Sequence, residues 1–249
     1  MAQVPTSFEY LKWERLYERE KPYEVFIPLS SFGDKKDLVS QHVYTLDNHG
    51  FQFARHNTTV QALRDSHQVT EKYVPEMQNF LEKFLGEKDG HGVRTLCFDI
   101  RLRRSMDPAQ FAEKTVNLED GFDPLLPATH PHIDQSATGA IRRVLRHLGE
   151  EDPELLKGRV RIIKDAETRV TAWPLAVCDA NSLDPGDLVP CDIVRRRFVG
   201  ETLFAKFHPE QKWHYLSGQN ADEIALLQIY DSSAGGQTKS KMVPSELHA

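Results

Sequence analysis

The segment with the clearest chemical potential runs from Ala128 to Ser136 and reads ATHPHIDQS. Within it, His132 and Asp134 are separated by one residue. In a β-strand such residues leave from the same face, so an imidazole and a carboxylate can meet at one point. A 2-His-1-carboxylate iron site uses such a pair and adds a distant histidine, whereas the same pair without metal is a general acid–base dyad. The structural alternative is a histidine beside a turn and an aspartate that caps a helix.

A sheet must position this pair, and the sequence after Pro153 predicts one. Candidate strands follow one another there, separated by turn signals such as Asp184-Pro185-Gly186. Short strands at a spacing of roughly 8–12 residues are typical of a sandwich or a barrel. The predicted strands cover residues 159–163, 171–177, 188–198, 200–207, 212–216 and 223–230.

Helices and one further strand are predicted ahead of that region. The apolar stripe over residues 70–85 predicts a helix, and Val93 to Ile100 reads as a buried strand. A second helix is expected to start at Ser136, directly after the dyad. Its inner face is predicted to carry Ala140, Ile141, Val144, Leu145 and Leu148, and its outer face Arg142, Arg143, Arg146 and His147.

The composition favours an ordinary globular chain. The 249 residues contain no internal repeat or linker, so we expect one domain, 1–249, with a flexible tail over 233–249. A net charge of −6 gives no electrostatic reason to expect nucleic acid or an anionic membrane as partner. No apolar run approaches the roughly 20 residues that span a bilayer, and Met1 to Ser7 lack a secretory pattern. Three cysteines without a CxxC pair favour a reducing, cytoplasmic location.

Short motifs along most of the chain carry a family resemblance. They are FEYL (8–11), EKPY (20–23), TLDNHGF (45–51), YVPE (73–76), HIDQS (132–136), GAIRRV (139–144), WPLAVCDA (173–180), GET (200–202), KWHY (212–215), DEI (222–224) and YDS (230–232). With them the sequence resembles the fungal hydroxylase/desaturase family typified by AsaB, which is related to the CmcJ proteins of cephamycin methoxylation. The resemblance implies a mainly β protein with flanking α-helices, built on a double-stranded β-helix (a cupin-like jelly roll). It also implies iron(II)/2-oxoglutarate-dependent tailoring of small molecules in fungal specialised metabolism.

Carried over residue by residue, the resemblance makes His132 and Asp134 two of three iron ligands. The family takes its third ligand from a later Pro-His pair, where this sequence has Pro244-Ser245, and no arginine to grip 2-oxoglutarate follows Ser232. The family's Asn-x-Trp-Arg-Pro stretch is replaced by KDAET, beginning at Lys164. The residues considered as substitutes for the missing ligand are His208, His214 and His248. The residues predicted to contact substrate are Trp173, Arg142, Trp213 and Tyr215.

Three functions follow from this pattern. The first is a repurposed enzyme without cofactor, in which the dyad of His132 and Asp134 catalyses dehydration, isomerisation or cyclisation of a polyketide- or terpenoid-type intermediate. The second is a true oxygenase that uses iron(II), 2-oxoglutarate and a substitute third ligand. The third is a non-catalytic partner of a paralogue, since an unpaired sheet edge invites a second chain as a homodimer or heterodimer.

Overall fold

The computed structural model describes residues 6–8, 27–29, 44–60, 63–89, 92–104, 115–148, 157–167, 175–195, 198–216 and 219–234. The strands are β1 (Thr6–Phe8), β2 (Ile27–Leu29), β3 (Phe51–Arg55), β4 (His132–Ile133), β5 (Arg161–Glu167), β6 (Ala176–Cys178), β7 (Leu188–Arg195), β8 (Phe198–Ala205), β9 (Trp213–Tyr215) and β10 (Glu223–Asp231). The α-helices are α1 (Leu46–His49), α2 (Ser66–Gln68), α3 (Val74–Asp89) and α4 (Ala137–Leu148), and a π-helical turn, Val69–Tyr73, links α2 to α3. Short 3-10 turns cover Ala180–Ser182, Pro185–Asp187 and Ser232–Ala234.

Two antiparallel sheets of three strands form the body of the protein. One has the order β3-β10-β5 and the other β4-β8-β7, while β6 pairs with β9 and β1 with β2. An apolar cluster joins the two sheets, because it includes Phe51 and Leu227 from the first and Ile133 and Leu203 from the second. The structure therefore has the predicted jelly-roll architecture, mainly β with flanking helices, in which two sheets share one core.

Strand β10 is buried on both faces, which explains its nearly continuous apolar sequence. Ala225, Leu227 and Ile229 belong to the cluster between the sheets. Ile224 and Leu226 point the other way and pack with Met77 and Leu85 of α3, among others, in a second cluster. Helix α3 therefore covers the outer face of the β3-β10-β5 sheet.

The strand expected from Val93 to Ile100 is not formed, although these residues are described. Side chains of α3 take the place of a neighbouring strand there. Gln78 Nε2 donates to the carbonyl of Thr95 at 3.0 Å, and the N–H of Thr95 donates to Glu82 Oε1 at 3.0 Å. Leu96 is 53% exposed, so the expectation of a buried segment is also wrong at this position.

Helix α4 begins where the sequence predicts, and its predicted inner face is confirmed at Ala140 and Val144 but not at two other positions. Ala140 is fully buried, whereas Ile141 and Leu145 are exposed rather than turned inward. Arg143, expected on the outer face, instead lies over the ring of Phe98, with its guanidinium carbon 5.4 Å from the ring centroid. This cation–π contact explains why Arg143 is turned toward the protein.

Of the flexible tail expected over 233–249, only Ser233 and Ala234 belong to the described residues.

Candidate active site

Strand β8 holds the segment that carries His132 and Asp134. His132 pairs with Phe204 and Ile133 with Leu203 in the antiparallel β4–β8 register. The hydroxyl of Thr202 adds a hydrogen bond of 2.5 Å to the carbonyl of Ile133. Since Ile133 is fully buried in the core, its two neighbours are directed to the opposite side of the strand.

The imidazole of His132 and the carboxylate of Asp134 face each other. Nε2 of His132 lies 3.5 Å from Oδ1 of Asp134, and the side chains are 13% and 28% exposed. Nδ1 of His132 lies 2.7 Å from the carbonyl oxygen of His130. A carbonyl only accepts hydrogen bonds, so Nδ1 carries a proton, and in the neutral form of the ring Nε2 is the nitrogen with the lone pair. Nε2 can therefore take up a proton on the side where Asp134 would stabilise it.

Lys164 completes the group and was not predicted to act here. Its Nζ lies 3.3 Å from Oδ2 of Asp134, so the two oxygens of this carboxylate face different partners. Lys164 belongs to β5, where Ile162 and Ala166 on the same face contribute to the core between the sheets. The alternation of β5 is the signal that could have found Lys164, because it places an ammonium group on an otherwise apolar face.

The electrostatics of the group follow from burial and these contacts. Burial acts to raise the pKa of Asp134, but the charge of Lys164 and the contact with His132 outweigh it, so this pKa lies below its ordinary value. Burial lowers the pKa of Lys164, opposed by Asp134 and reinforced by Arg103. Burial also lowers the pKa of Arg103, which Asp134 opposes. One carboxylate thus lies in the field of two cations.

The other sequence candidates lie apart or outside the described residues. Arg142 is exposed on α4, and its role in substrate binding stays a prediction. Trp213 and Tyr215 are half-buried in β9, which pairs with β6. Trp173 and His248 fall outside the described residues.

Neither His208 nor His214 joins His132 and Asp134. His208 Nδ1 accepts from the N–H of Glu210 at 3.3 Å in a turn. The ring of His214 packs 4.6 Å from that of Tyr44, and burial lowers its pKa. Across the described parts of the chain, no three His, Cys, Asp or Glu side chains gather in a way that could hold a metal.

The charges present do not fit a divalent iron at this pair. Such an ion would share the Asp134 carboxylate with the ammonium of Lys164 and would also lie in the field of Arg103. Two unit charges about 4 Å apart interact by about 4 kcal/mol near a protein surface, and a doubly charged ion doubles that repulsion. Asp134, Lys164 and Arg103 together carry a net positive charge, and the described residues offer no third ligand beside His132 and Asp134.

Two facing antiparallel sheets, with a His-x-Asp segment that begins on the edge strand β4, define a jelly roll of the type found in iron/2-oxoglutarate oxygenases. Among solved structures, the iron and alpha-ketoglutarate-dependent endoperoxidase NvfI shares this fold. One of its conformations gives a TM-score of 0.73 at 22% identity, covering 99% of this chain and 89% of that one. Another structure of the same enzyme gives a TM-score of 0.69 at 21% identity, covering 98% and 88%.

Sequence comparison assigns the family. The profile YDMC, described as an oxidoreductase/YMDC permease-like domain, matches residues 35–246, and the chain belongs to this family. Aspirochlorine biosynthesis protein N of Aspergillus oryzae (strain ATCC 42149 / RIB 40) is 42% identical over 106 residues, or 41% of this chain and 44% of that protein. Hydroxylase/desaturase CTB9 of Cercospora beticola is 29% identical over 216 residues, or 80% of this chain and 65% of that protein.

These matches confirm the resemblance to the fungal hydroxylase/desaturases. The matched stretches span 44% and 65% of the two relatives, less than two thirds of either length. Within the described residues, no helix is both long and apolar enough to cross a membrane.

Proposed function

We propose that this protein is a tailoring enzyme of fungal specialised metabolism that moves protons without oxidising its substrate. The reaction class is dehydration, isomerisation or cyclisation of a polyketide- or terpenoid-type intermediate. The observation that carries the proposal is the orientation of His132. Its Nδ1 proton is held by the carbonyl of His130 at 2.7 Å, and Nε2 faces the carboxylate of Asp134 at 3.5 Å.

His132 acts as the general base and acid. Nε2 takes a proton from a carbon or hydroxyl of the substrate, and the carboxylate of Asp134 stabilises the imidazolium that forms. Return of that proton to another carbon gives an isomer, and its delivery to a leaving hydroxyl releases water. The three side chains of the group are each between 13% and 28% exposed, so each is partly accessible from solvent.

A true oxygenase is the second candidate, and the relatives favour it. One partial match, 33% identical over 111 residues, is named Fe(II)/2-oxoglutarate-dependent dioxygenase nvfI of Aspergillus novofumigatus (strain IBT 16806). For this chain, such a function requires a third ligand from outside the described residues and displacement of Lys164 from Asp134.

The deciding experiment deletes the gene in its host, isolates the intermediate that accumulates, and incubates it with purified protein. We expect conversion in the presence of EDTA and without oxygen or 2-oxoglutarate, to a product of the same mass or lighter by one water. His132→Gln should lower turnover by about 10²–10⁴-fold. Conversion only with iron(II) and 2-oxoglutarate, to a product that gains oxygen or loses two hydrogens, would establish the oxygenase instead.

Two further expectations remain proposals: a cytoplasmic location, and a homodimer or a complex with a paralogue. Mass measurement in solution, alone and with the paralogue, tests the assembly. An inactive chain that restores activity to a paralogue would establish the non-catalytic role.

A further inference from the structure

We propose that the ammonium group of Lys164 supplies the positive charge that the pair of His132 and Asp134 would otherwise take from a divalent metal. Lys164 is in direct contact with Asp134. Nζ of Lys164 lies 3.3 Å from Oδ2 of Asp134, within reach of a charge-assisted interaction. The carboxylate that a metal would need is therefore already neutralised by a residue of the chain.

Lys164 occupies an inward-facing position of β5. Ile162 precedes it and Ala166 follows it on the face of β5 that builds the core between the sheets. Asp165 points the other way, where the hydroxyl of Tyr73 donates to it at 3.0 Å. A lysine on the inner face loses hydration, and it is retained there only with a partner such as Asp134.

Other charged side chains also act on Asp134 and Lys164. Arg103 acts electrostatically on both Asp134 and Lys164, so one carboxylate lies in the field of two cations. Asp99 also acts on Lys164, but it is half-exposed and lies 3.9 Å from Arg101. A metal ion would enter a site of net positive charge, whereas a substrate oxygen that gains negative charge would be stabilised there.

Lys164 is thus a positioning residue for Asp134 and an electrostatic group of the site. This inference concerns the site's cation and stands whether or not the proposed proton transfer is the reaction. The test below uses no substrate, so its failure is distinguishable from failure of the proposed function.

The test measures Co²⁺ binding to the full chain by visible absorption and calorimetry, without 2-oxoglutarate. We expect no stoichiometric binding to the wild-type protein. Lys164→Met removes the competing cation, and Lys164→His also adds an imidazole. Each should bind Co²⁺ at least tenfold more tightly than wild type, the histidine variant more so. Lys164→Arg keeps the charge and should behave as wild type.

Asp134→Asn in the Lys164→His background is the matched control for location, and it should abolish the gained binding. Stoichiometric Co²⁺ binding by wild type, or no gain in either Lys164 variant, would overturn the proposal. Lys164→Gln is a second uncharged replacement, so the comparison does not depend on the folding of Lys164→Met alone. A further readout is the nitrogen-15 signal of the Lys164 ammonium, expected to persist through slow hydrogen exchange and to be lost in Asp134→Asn.

Discussion

Ser136 and Glu201 are joined by two hydrogen bonds that fix the start of α4 against β8. The N–H of Ser136 donates to the carbonyl of Glu201 at 2.9 Å, and its hydroxyl donates to Oε1 of the Glu201 side chain at 2.5 Å. The same hydroxyl accepts from the N–H of Gly139 at 3.0 Å, which caps the helix. Because Asp134 lies two residues before Ser136, this junction also sets the position of the candidate active site.

Removal of the Ser136 hydroxyl should therefore destabilise the protein. For Ser136→Ala we expect a loss of about 1–2 kcal/mol in the free energy of unfolding, as for other lost caps, measured by urea denaturation. Thr138→Ala, at an exposed position of the same helix, is the control and should change it by less than about 0.5 kcal/mol. Equal effects of the two changes would contradict the capping role.

Gly139 is needed for the close approach of α4 to β8. A Cβ at this position would lie 2.7 Å from the carbonyl oxygen of Glu201, a backbone atom that cannot move alone. We expect Gly139→Ala to cost about 1–3 kcal/mol through overpacking, although alanine favours helices. Gly92→Ala is the matched control, since its Cβ would have nothing within 4 Å. A stabilised Gly139→Ala protein would refute the contact.

Asp231 should make stability depend on pH in the acid range. Arg159 donates to it through Nη2 at 2.6 Å and through Nε at 3.1 Å. Burial acts to raise the pKa of Asp231, but the hydrogen bonds from Arg159 and Ser233 hold it below its ordinary value. A lowered folded-state pKa gives stability that is complete above the unfolded pKa of about 3.9 and is lost as the pH falls through the folded value.

Asp231→Asn should remove that dependence. We expect a loss of about 2 kcal/mol at pH 7, shrinking at pH values below about 4, measured as unfolding free energies across the range. Asp222→Asn breaks a solvent-exposed pair with Arg55 and should cost less than about 1 kcal/mol. A loss in Asp231→Asn that stays constant down to pH 2 would show that the charge of Asp231 is not responsible.

Cys178 should resist alkylation in the native protein. It is fully buried, and burial raises the pKa of its thiol to about 12, although Ser182 opposes this shift. The thiolate is the reactive form, so iodoacetamide should label the exposed Cys97 first and Cys178 only after unfolding. Peptide mass mapping with and without denaturant checks this. Rapid native labelling of Cys178 would contradict its burial.

Much of the sheet could be predicted because its signals are local. Alternating apolar residues and turn residues predict strands over 188–198, 200–207 and 223–230. These three predicted strands match β7, β8 and β10. The failure from Val93 to Ile100 has a non-local cause. Glu82 and Gln78 bind the backbone of Thr95 there, and no pattern within the segment reveals that.

The candidate site was predicted only in part for a similar reason. His132 and Asp134 are close in sequence, so strand geometry alone suffices to bring them together. Lys164 reaches Asp134 from another sheet, and its contact depends on how β5 faces β4. The alternation of β5 indicates that Lys164 faces inward between two apolar residues, but nothing in the sequence identifies Asp134 as its partner.

The hydrogen bond from Tyr73 should reduce the loss of stability that occurs when Asp165 ionises. Its hydroxyl donates to Asp165 at 3.0 Å, and burial raises the pKa of this carboxyl despite that hydrogen bond. A raised folded-state pKa means that stability falls as the pH rises from about 4 through the folded value, because the buried carboxylate must then carry charge. Tyr73→Phe removes a donor to the charged form, so its cost should be small near pH 4 and grow to about 1.5–3 kcal/mol at higher pH. Urea denaturation at pH 4, 6 and 8 measures this, with Tyr230→Phe as the control because the Tyr230 hydroxyl makes no hydrogen bond among the described residues. A cost independent of pH would mean that Tyr73 stabilises the protein through its ring and not through Asp165.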